Sequence, residues 1–171
     1  MRILLLIIIS ALCACTTPIK YSDVKVNNQF SIHVPDFMQP TNEIHQKAAL
    51  QYQNLEKEFY LLVINESKEQ MKAYDLDYDL DSYYKNIVST PFTEQLKNGK
   101  VSMPGRMDIH GKKALISEIT GNINNADIYY KLTVIESPEH FYQVVTWTKA
   151  ENKEKMSLVM DSVIQSFKEI N

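Results

Sequence analysis

The sequence predicts an α+β domain in which helices pack against a largely antiparallel sheet. Three observations predict it. Apolar residues alternate with polar ones at period two in short runs, as in Phe30, Ile32 and Val34 and again in Ile128, Tyr130, Leu132 and Val134. Short turn-forming segments, His110-Gly111-Lys112-Lys113 and Ser137-Pro138-Glu139-His140, join neighbouring runs, and hairpins of that length pair strands antiparallel. Two stretches switch to three- and four-residue spacing, which is the stripe of an amphipathic helix.

The elements follow in order. Residues 16–28 are polar, carry Pro18 and little apolar pattern, and read as a tether. Fully extended, it reaches at most about 45 Å at roughly 3.5 Å per residue. Phe30 to Val34 is a half-buried strand closed by Pro35. Ala49 to Leu55 is a weaker strand. Phe59 to Ile64 is continuously apolar, as a central strand covered on both faces would be. Leu80, Tyr84, Ile87, Val88, Phe92 and Leu96 then share one helical face, with Asp79 or Asp81 able to cap its start. Pro91 predicts a kink or a split into two helices, and Asn98-Gly99 reads as its C-cap. Val101 to Ile109 and Ala114 to Ile123 form a hairpin, and the strand from Ile128 to Val134 pairs with Phe141 to Trp147. Asn152 is the expected N-cap of a last helix that buries Met156, Val159, Met160, Val163, Ile164, Phe167 and Ile170. No repeat or low-complexity block interrupts residues 29–171, which read as one globular domain.

The first fifteen residues set the expected location. Arg2 precedes the apolar run Ile3 to Ile9, which is too short to span a bilayer and reads as a signal peptide over residues 1–14. Leu12-Cys13-Ala14-Cys15 resembles the bacterial lipobox, which implies cleavage before Cys15 and its acylation. A register ending at Cys13 fits worse, because it puts bulky Leu12 at the cut. Thr16 stands where Asp would retain a Gram-negative lipoprotein in the inner membrane, so the resemblance favours the outer membrane, facing the periplasm. In a Gram-positive cell the same signal implies the cell surface. Loss of Arg2 leaves 17 of the 18 Lys+Arg against 21 Asp+Glu, a formal charge of −4. A mixed, slightly acidic surface argues against nucleic acid, and no cysteine pair remains for a disulfide.

Chemical motifs are sparse. Asp75, Asp77, Asp79 and Asp81 alternate with Leu76, Tyr78 and Leu80, but an EF-hand loop begun at Asp75 would need Gly at 80 and Glu at 86, where Leu and Asn stand. The start at Asp77 fails likewise, with Ser82 and Val88 in those places. The run reads as a helix-capping loop, or as a non-standard cation site. Tyr74 and Tyr78, with these aspartates, make a candidate acidic-aromatic patch for a partner or a cationic ligand. His33, His45, His110 and His140 have no metal-ligand spacing, so no metal is expected. The glycines at 99, 105, 111 and 121 write no phosphate loop, no GxSxG elbow occurs, and nothing selects two of Glu118, Glu136 and Glu139 as an acid-base pair. The expectation is a protein that is not an enzyme and uses no cofactor.

The layout resembles the Mog1/PsbP-like fold, including small bacterial lipoproteins of the DcrB type. The carrying residues are Asn28-Gln29-Phe30-Ser31-Ile32-His33-Val34-Pro35, His110-Gly111-Lys112-Lys113-Ala114, the paired strands Tyr129 to Ile135 and Phe141 to Trp147, and Ser162-Val163-Ile164-Gln165-Ser166-Phe167. The resemblance spans about residues 28–170 and implies an α/β/α sandwich whose members bind proteins. No functional motif matches, so no site residue transfers. The expected function is a membrane-anchored envelope lipoprotein acting as a non-catalytic interaction or accessory module, with the membrane and an envelope protein as partners. The alternative is a small-ligand or cation-binding protein using residues 74–84.

Overall fold

The structure, a computed structural model, describes residues 18–170. The signal peptide and Cys15 lie outside the described residues. Strands β1 (Tyr21–Val26), β2 (Phe30–Pro35), β3 (Gln39–Pro40), β4 (Leu50–Asn54) and β5 (Phe59–Ser67) come first. Helices α1 (Lys68–Lys72) and α2 (Leu80–Tyr83), a π-helical turn (Tyr84–Ser89) and α3 (Thr90–Glu94) follow. Then come β6 (Lys97–Val101), β7 (Gly105–Ile109), β8 (Lys112–Ile123), β9 (Ala126–Glu136), β10 (His140–Lys149), α4 (Lys153–Gln165) and β11 (Lys168–Glu169).

An eight-stranded sheet runs in the order β3-β4-β5-β10-β9-β8-β6, with β7 also on β8, and every pairing is antiparallel. A small sheet, β1-β2-β11, and α4 cover one face; α2, the π-turn and α3 cover part of the other. The chain is therefore α+β with a mostly antiparallel sheet, as its patterning predicts. Side-chain alternation splits the core in two. Phe59, Leu61, Val63, Tyr129, Tyr142 and Val144 meet Val159, Met160, Val163, Ile164 and Phe167 on the α4 face. Leu62, Leu132, Val134, Phe141 and Val145 meet Leu80, Tyr83, Tyr84 and Val88 on the other.

Several local expectations are corrected. Residues 21–26 are not tether: Tyr21, Val24 and Val26 pack on the α4-side core and the segment pairs with β2 from Tyr21↔Pro35 to Val26↔Phe30. The alternating Val24 and Val26 carry this strand, although polar neighbours dilute the signal. The expected strand from Val101 to Ile109 is two, β6 and β7, because Pro104 has no N–H to continue a ladder along β8. The connection between β7 and β8 is only His110-Gly111, both at positive φ (50° and 82°), as a primed two-residue hairpin turn requires. Asn98-Gly99 caps no helix. It forms a bulge in β6, where Asn98 takes φ 56°.

The helices differ in a similar way. Pro91 causes no simple kink. The preceding turn widens to π geometry, with the Thr90 N–H reaching Lys85 O, and Pro91 enters α3 within its first turn, where its missing N–H costs nothing. Asn152 stands at the N-cap position of α4 but makes no capping hydrogen bond, because the 3₁₀ turn Ala150–Asn152 puts its backbone in a helical conformation. The helix stops at Gln165, so Phe167 is buried from beyond it and Ile170 follows β11.

Candidate functional site

The acidic-aromatic segment does not converge. Asp77 pairs with Lys72 at 3.4 Å, and Asp81 with Arg106 at 2.6 Å. Asp79 is the N-cap of α2 in a reciprocal capping box: its carboxylate accepts from the Ser82 N–H (2.8 Å), while Ser82 Oγ accepts from the Asp79 N–H (3.1 Å). The Ser82 hydroxyl and N–H hold the Asp79 carboxyl below its ordinary range. Asp75 sits exposed at positive φ (61°), Tyr78 packs on the core beneath the helices, and Tyr74 stands 79% exposed. Among the described residues, no three His, Cys, Asp or Glu side chains come together to hold a metal ion. Glu118 and Glu136, two of the candidate acid-base residues, pair instead with Lys153 (2.9 Å) and Lys68 (2.7 Å).

The structure brings together a different set of residues. The continuous apolar run of β5 is sealed only on the α4 face, where Phe59, Leu61 and Val63 are fully buried. On the other face the helices lie over β8, β9 and β10, which leaves a strip of β5 and β10 partly uncovered. Two cross-strand pairs, Leu62↔Val145 and Ile64↔Gln143, form the floor of this groove of about 600 Å³.

Two walls confine the groove. One is α3 with its C-cap, which presents Pro91, Phe92 and, at the cap, Gln95. Phe92 stands edge-on to Tyr130 at 4.9 Å, and the π-turn sets the rotation of α3 relative to α2 by inserting an extra residue. The other wall is residues 44–47, pinned by one side chain. Gln51 Oε1 accepts from the N–H groups of Ile44 (2.9 Å) and His45 (3.0 Å), and Gln51 Nε2 donates to His45 O (3.0 Å).

A polar network marks the floor. Tyr83, fully buried under α2, stacks on Phe141 at 4.1 Å and donates its hydroxyl to Glu66 Oε2 (2.5 Å), while Gln143 Nε2 donates to Tyr83 Oη (2.8 Å). Burial, and then the Glu66 carboxylate, push the Tyr83 phenol far above its ordinary range, so it stays a donor at any physiological pH. Glu66 and Gln143 are thereby held at fixed positions in an otherwise apolar trough. Past Lys47, Ile64 and Glu66 the trough continues into a second depression of about 480 Å³, bounded by Gln70, Met71, Tyr74 and Leu76. Of the sequence-predicted patch, Tyr74 reaches this groove and the four aspartates do not line it.

Sequence reasoning missed the floor, because its residues come from strands separated by eighty positions. One signal was present: Gln143 interrupts the apolar run from Phe141 to Val145 on a central strand, where an unpartnered amide would be costly.

An antiparallel sheet with helices on both faces makes this an α+β fold, and solved structures of the PsbP type share it. The chain is similar to cyanobacterial PsbP (CyanoP) from Synechocystis sp. PCC 6803, with a TM-score of 0.65 and 12% identity over 92% of this chain and 96% of that one. It is also similar to LpqN, described as involved in cell envelope biogenesis in Mycobacterium tuberculosis, with a TM-score of 0.62 and 10% identity over 91% and 93% of the two chains. At such identities the likeness establishes the fold alone. No protein-family model matches the sequence, and no curated protein does.

Proposed function

We propose that this protein is an acylated, non-catalytic accessory lipoprotein of the cell envelope that engages a protein partner through the groove between α3 and residues 44–47. The observation that carries the reading is the groove left over β5 and β10 between α3 and residues 44–47, with Leu62 and Val145 nearly buried at its base and Ile64 half-buried. It is apolar along Leu62, Ile64 and Val145, and punctuated by Glu66 and Gln143 at positions fixed by Tyr83. Such a surface suits an extended or helical segment with apolar anchors and one or two donors, rather than a compact reactive substrate. Solved neighbours that include a protein involved in envelope biogenesis are in keeping with an envelope role, and the lipobox around Cys15 supplies the anchor. By the residue after that cysteine, Thr16, the outer membrane facing the periplasm is the favoured site.

Two measurements test this. Metabolic labelling with palmitate tags the natural chain, and the label is lost in Cys15→Ala; an unlabelled natural chain overturns the anchoring. A photo-crosslinking side chain replacing Gln95 or Tyr74, in cells, yields a discrete adduct, and the same group replacing Leu158 on the far face of α4 does not. Equal adducts at all three positions, or none at Gln95 and Tyr74, would remove the groove from the reading.

A further inference from the structure

We propose that the end of the large sheet beside the N-terminal strand rests on the lipid surface, with Ile19, Leu55 and Ile123 as its apolar contacts. The inference rests on the acylation of Cys15 advanced above and adds to it an orientation.

The geometry begins with where the chain enters the fold. Lys20 O accepts from the Asp36 N–H at 3.0 Å, and Phe37 O accepts from Asn54 Nδ2 at 2.6 Å, so the residues just before β1 lie beside the turn between β4 and β5. From that turn one row of partners crosses the sheet from β4 to β6: Asn54↔Phe59↔Thr148↔Tyr129↔Thr120↔Lys100. Leu55 lies just beyond this row at one side, and Ile123, at the tip of the hairpin between β8 and β9, at the other. Ile19, Leu55 and Ile123 are 42%, 66% and 37% exposed. Tyr74 and Leu76 lie at the opposite end, past the last residue of β5, and the groove opens toward them.

Chain length makes this end the membrane-proximal one. Because β1 begins at Tyr21, the free span is far shorter than the whole of residues 16–28. Cys15 and Ile19 are four residues apart, so at full extension roughly 14 Å separates the anchor from the first apolar contact. That is comparable to the depth of the headgroup region and the outer acyl boundary, into which apolar contacts penetrate by about 5–10 Å. Charge selects the kind of surface. Lys20, Lys57, Lys97, Lys100 and Lys149 share this end with Asp36, Glu56, Glu58, Asp127 and Glu151, and Lys149 pairs with Glu58 at 2.9 Å. With both signs interspersed there is no polybasic patch, so the contact is apolar and insensitive to salt rather than selective for anionic lipid.

The experiment uses the natural acylated chain in vesicles of phosphatidylethanolamine and phosphatidylglycerol that carry nitroxide-labelled headgroups. Under the lipobox reading Cys13 is removed and Cys15 is blocked, so Leu55→Cys, Ile123→Cys or Tyr74→Cys supplies a single thiol for a fluorophore at an exposed position. Quenching at 55 and 123 exceeds that at 74 by roughly twofold or more, the contrast expected of shallow insertion. Flotation of the chain with the vesicles but equal quenching at all three positions sinks the orientation and leaves the anchor standing. Failure of the natural chain to float sinks the anchor, and the orientation with it.

Discussion

At the scale of single residues, the tyrosines report how the interior is wired. Burial is the largest cause that raises the phenols of Tyr60, Tyr83, Tyr129, Tyr130 and Tyr142, and it pushes Tyr130 up to about 12. An unfolded tyrosine titrates near 10, so between pH 10 and 12 the unfolded chain releases a proton that folded Tyr130 retains. The stabilisation is complete below pH 10 and is lost as pH rises toward the folded value. For Tyr130 alone the loss amounts to roughly 2–3 kcal/mol across that window. Urea midpoints should therefore be flat from pH 8 to 9.5 and fall steeply above 10. Absorbance at 295 nm should show several tyrosines still un-ionised at pH 11 while the fold persists, and complete ionisation of the folded chain there would contradict the burial. Residue scale is also where the site was least legible. The run from Tyr74 to Asp81 stands out because its chemistry is repetitive, yet three of its aspartates are engaged in a cap or an ion pair. The groove is built from ordinary residues, and only folding sets Ile64 beside Gln143.

At the scale of elements, strands were legible where burial enforces alternation, and less so where a bend or an edge intervenes. β9 was readable from the alternation of Ile128, Tyr130, Leu132 and Val134, although both of its faces are buried, Lys131 and Thr133 included, and β10 was readable as its partner across the turn at 137–140. Pro104 is the residue that divides β6 from β7, and β1 is hard to read in the sequence because an edge strand buries only part of its apolar side chains. The docking of α4 was legible from its stripe of Val159, Met160, Val163 and Ile164. Its polar clasp was not: Lys131, 6% exposed in the middle of β9, reaches up to Asp161 on α4. Asp161→Ala leaves that ammonium buried with the Ser157 carbonyl at 3.4 Å as its hydrogen-bond partner and the cross-strand Glu118 carboxylate as its remaining counter-charge. Breaking a buried pair costs about 3–5 kcal/mol, and the partial exposure of Asp161 moves the expected loss to roughly 2–3 kcal/mol. Lys131→Met removes charge and desolvation together, so the double variant Lys131→Met/Asp161→Ala should be more stable than Asp161→Ala alone. Chemical denaturation of the three variants decides it; a double variant as unstable as the single one would show that packing, not the stranded charge, sets the loss.

At the scale of the whole molecule, the question is which surfaces are left for partners. The edges of the large sheet are poor candidates. β3 is two residues long and ends in Pro40, while β6 and β7 carry Lys97, Lys100, a bulge and the interruption at Pro104, all features that discourage strand addition. Faces remain, and the α4 face is closed by the small sheet, in which β1 and the two-residue β11 flank β2. That closure gives β1 a structural role that a tether would not have. A chain beginning at Pro18 keeps Tyr21, Val24 and Val26 against the core; one beginning at Asn28 loses all three and the ladder that protects β2. Each of these half-buried side chains contributes about 1 kcal/mol of apolar burial, so the shorter chain should lose roughly 2–3 kcal/mol. For a domain of this size that corresponds to a fall in melting temperature of about 5–10 °C. Were residues 21–26 merely a tether, the two chains would melt together. Calorimetry on the pair therefore tests the strand itself, and with it the short reach from Cys15 on which the orientation of the domain at the membrane depends.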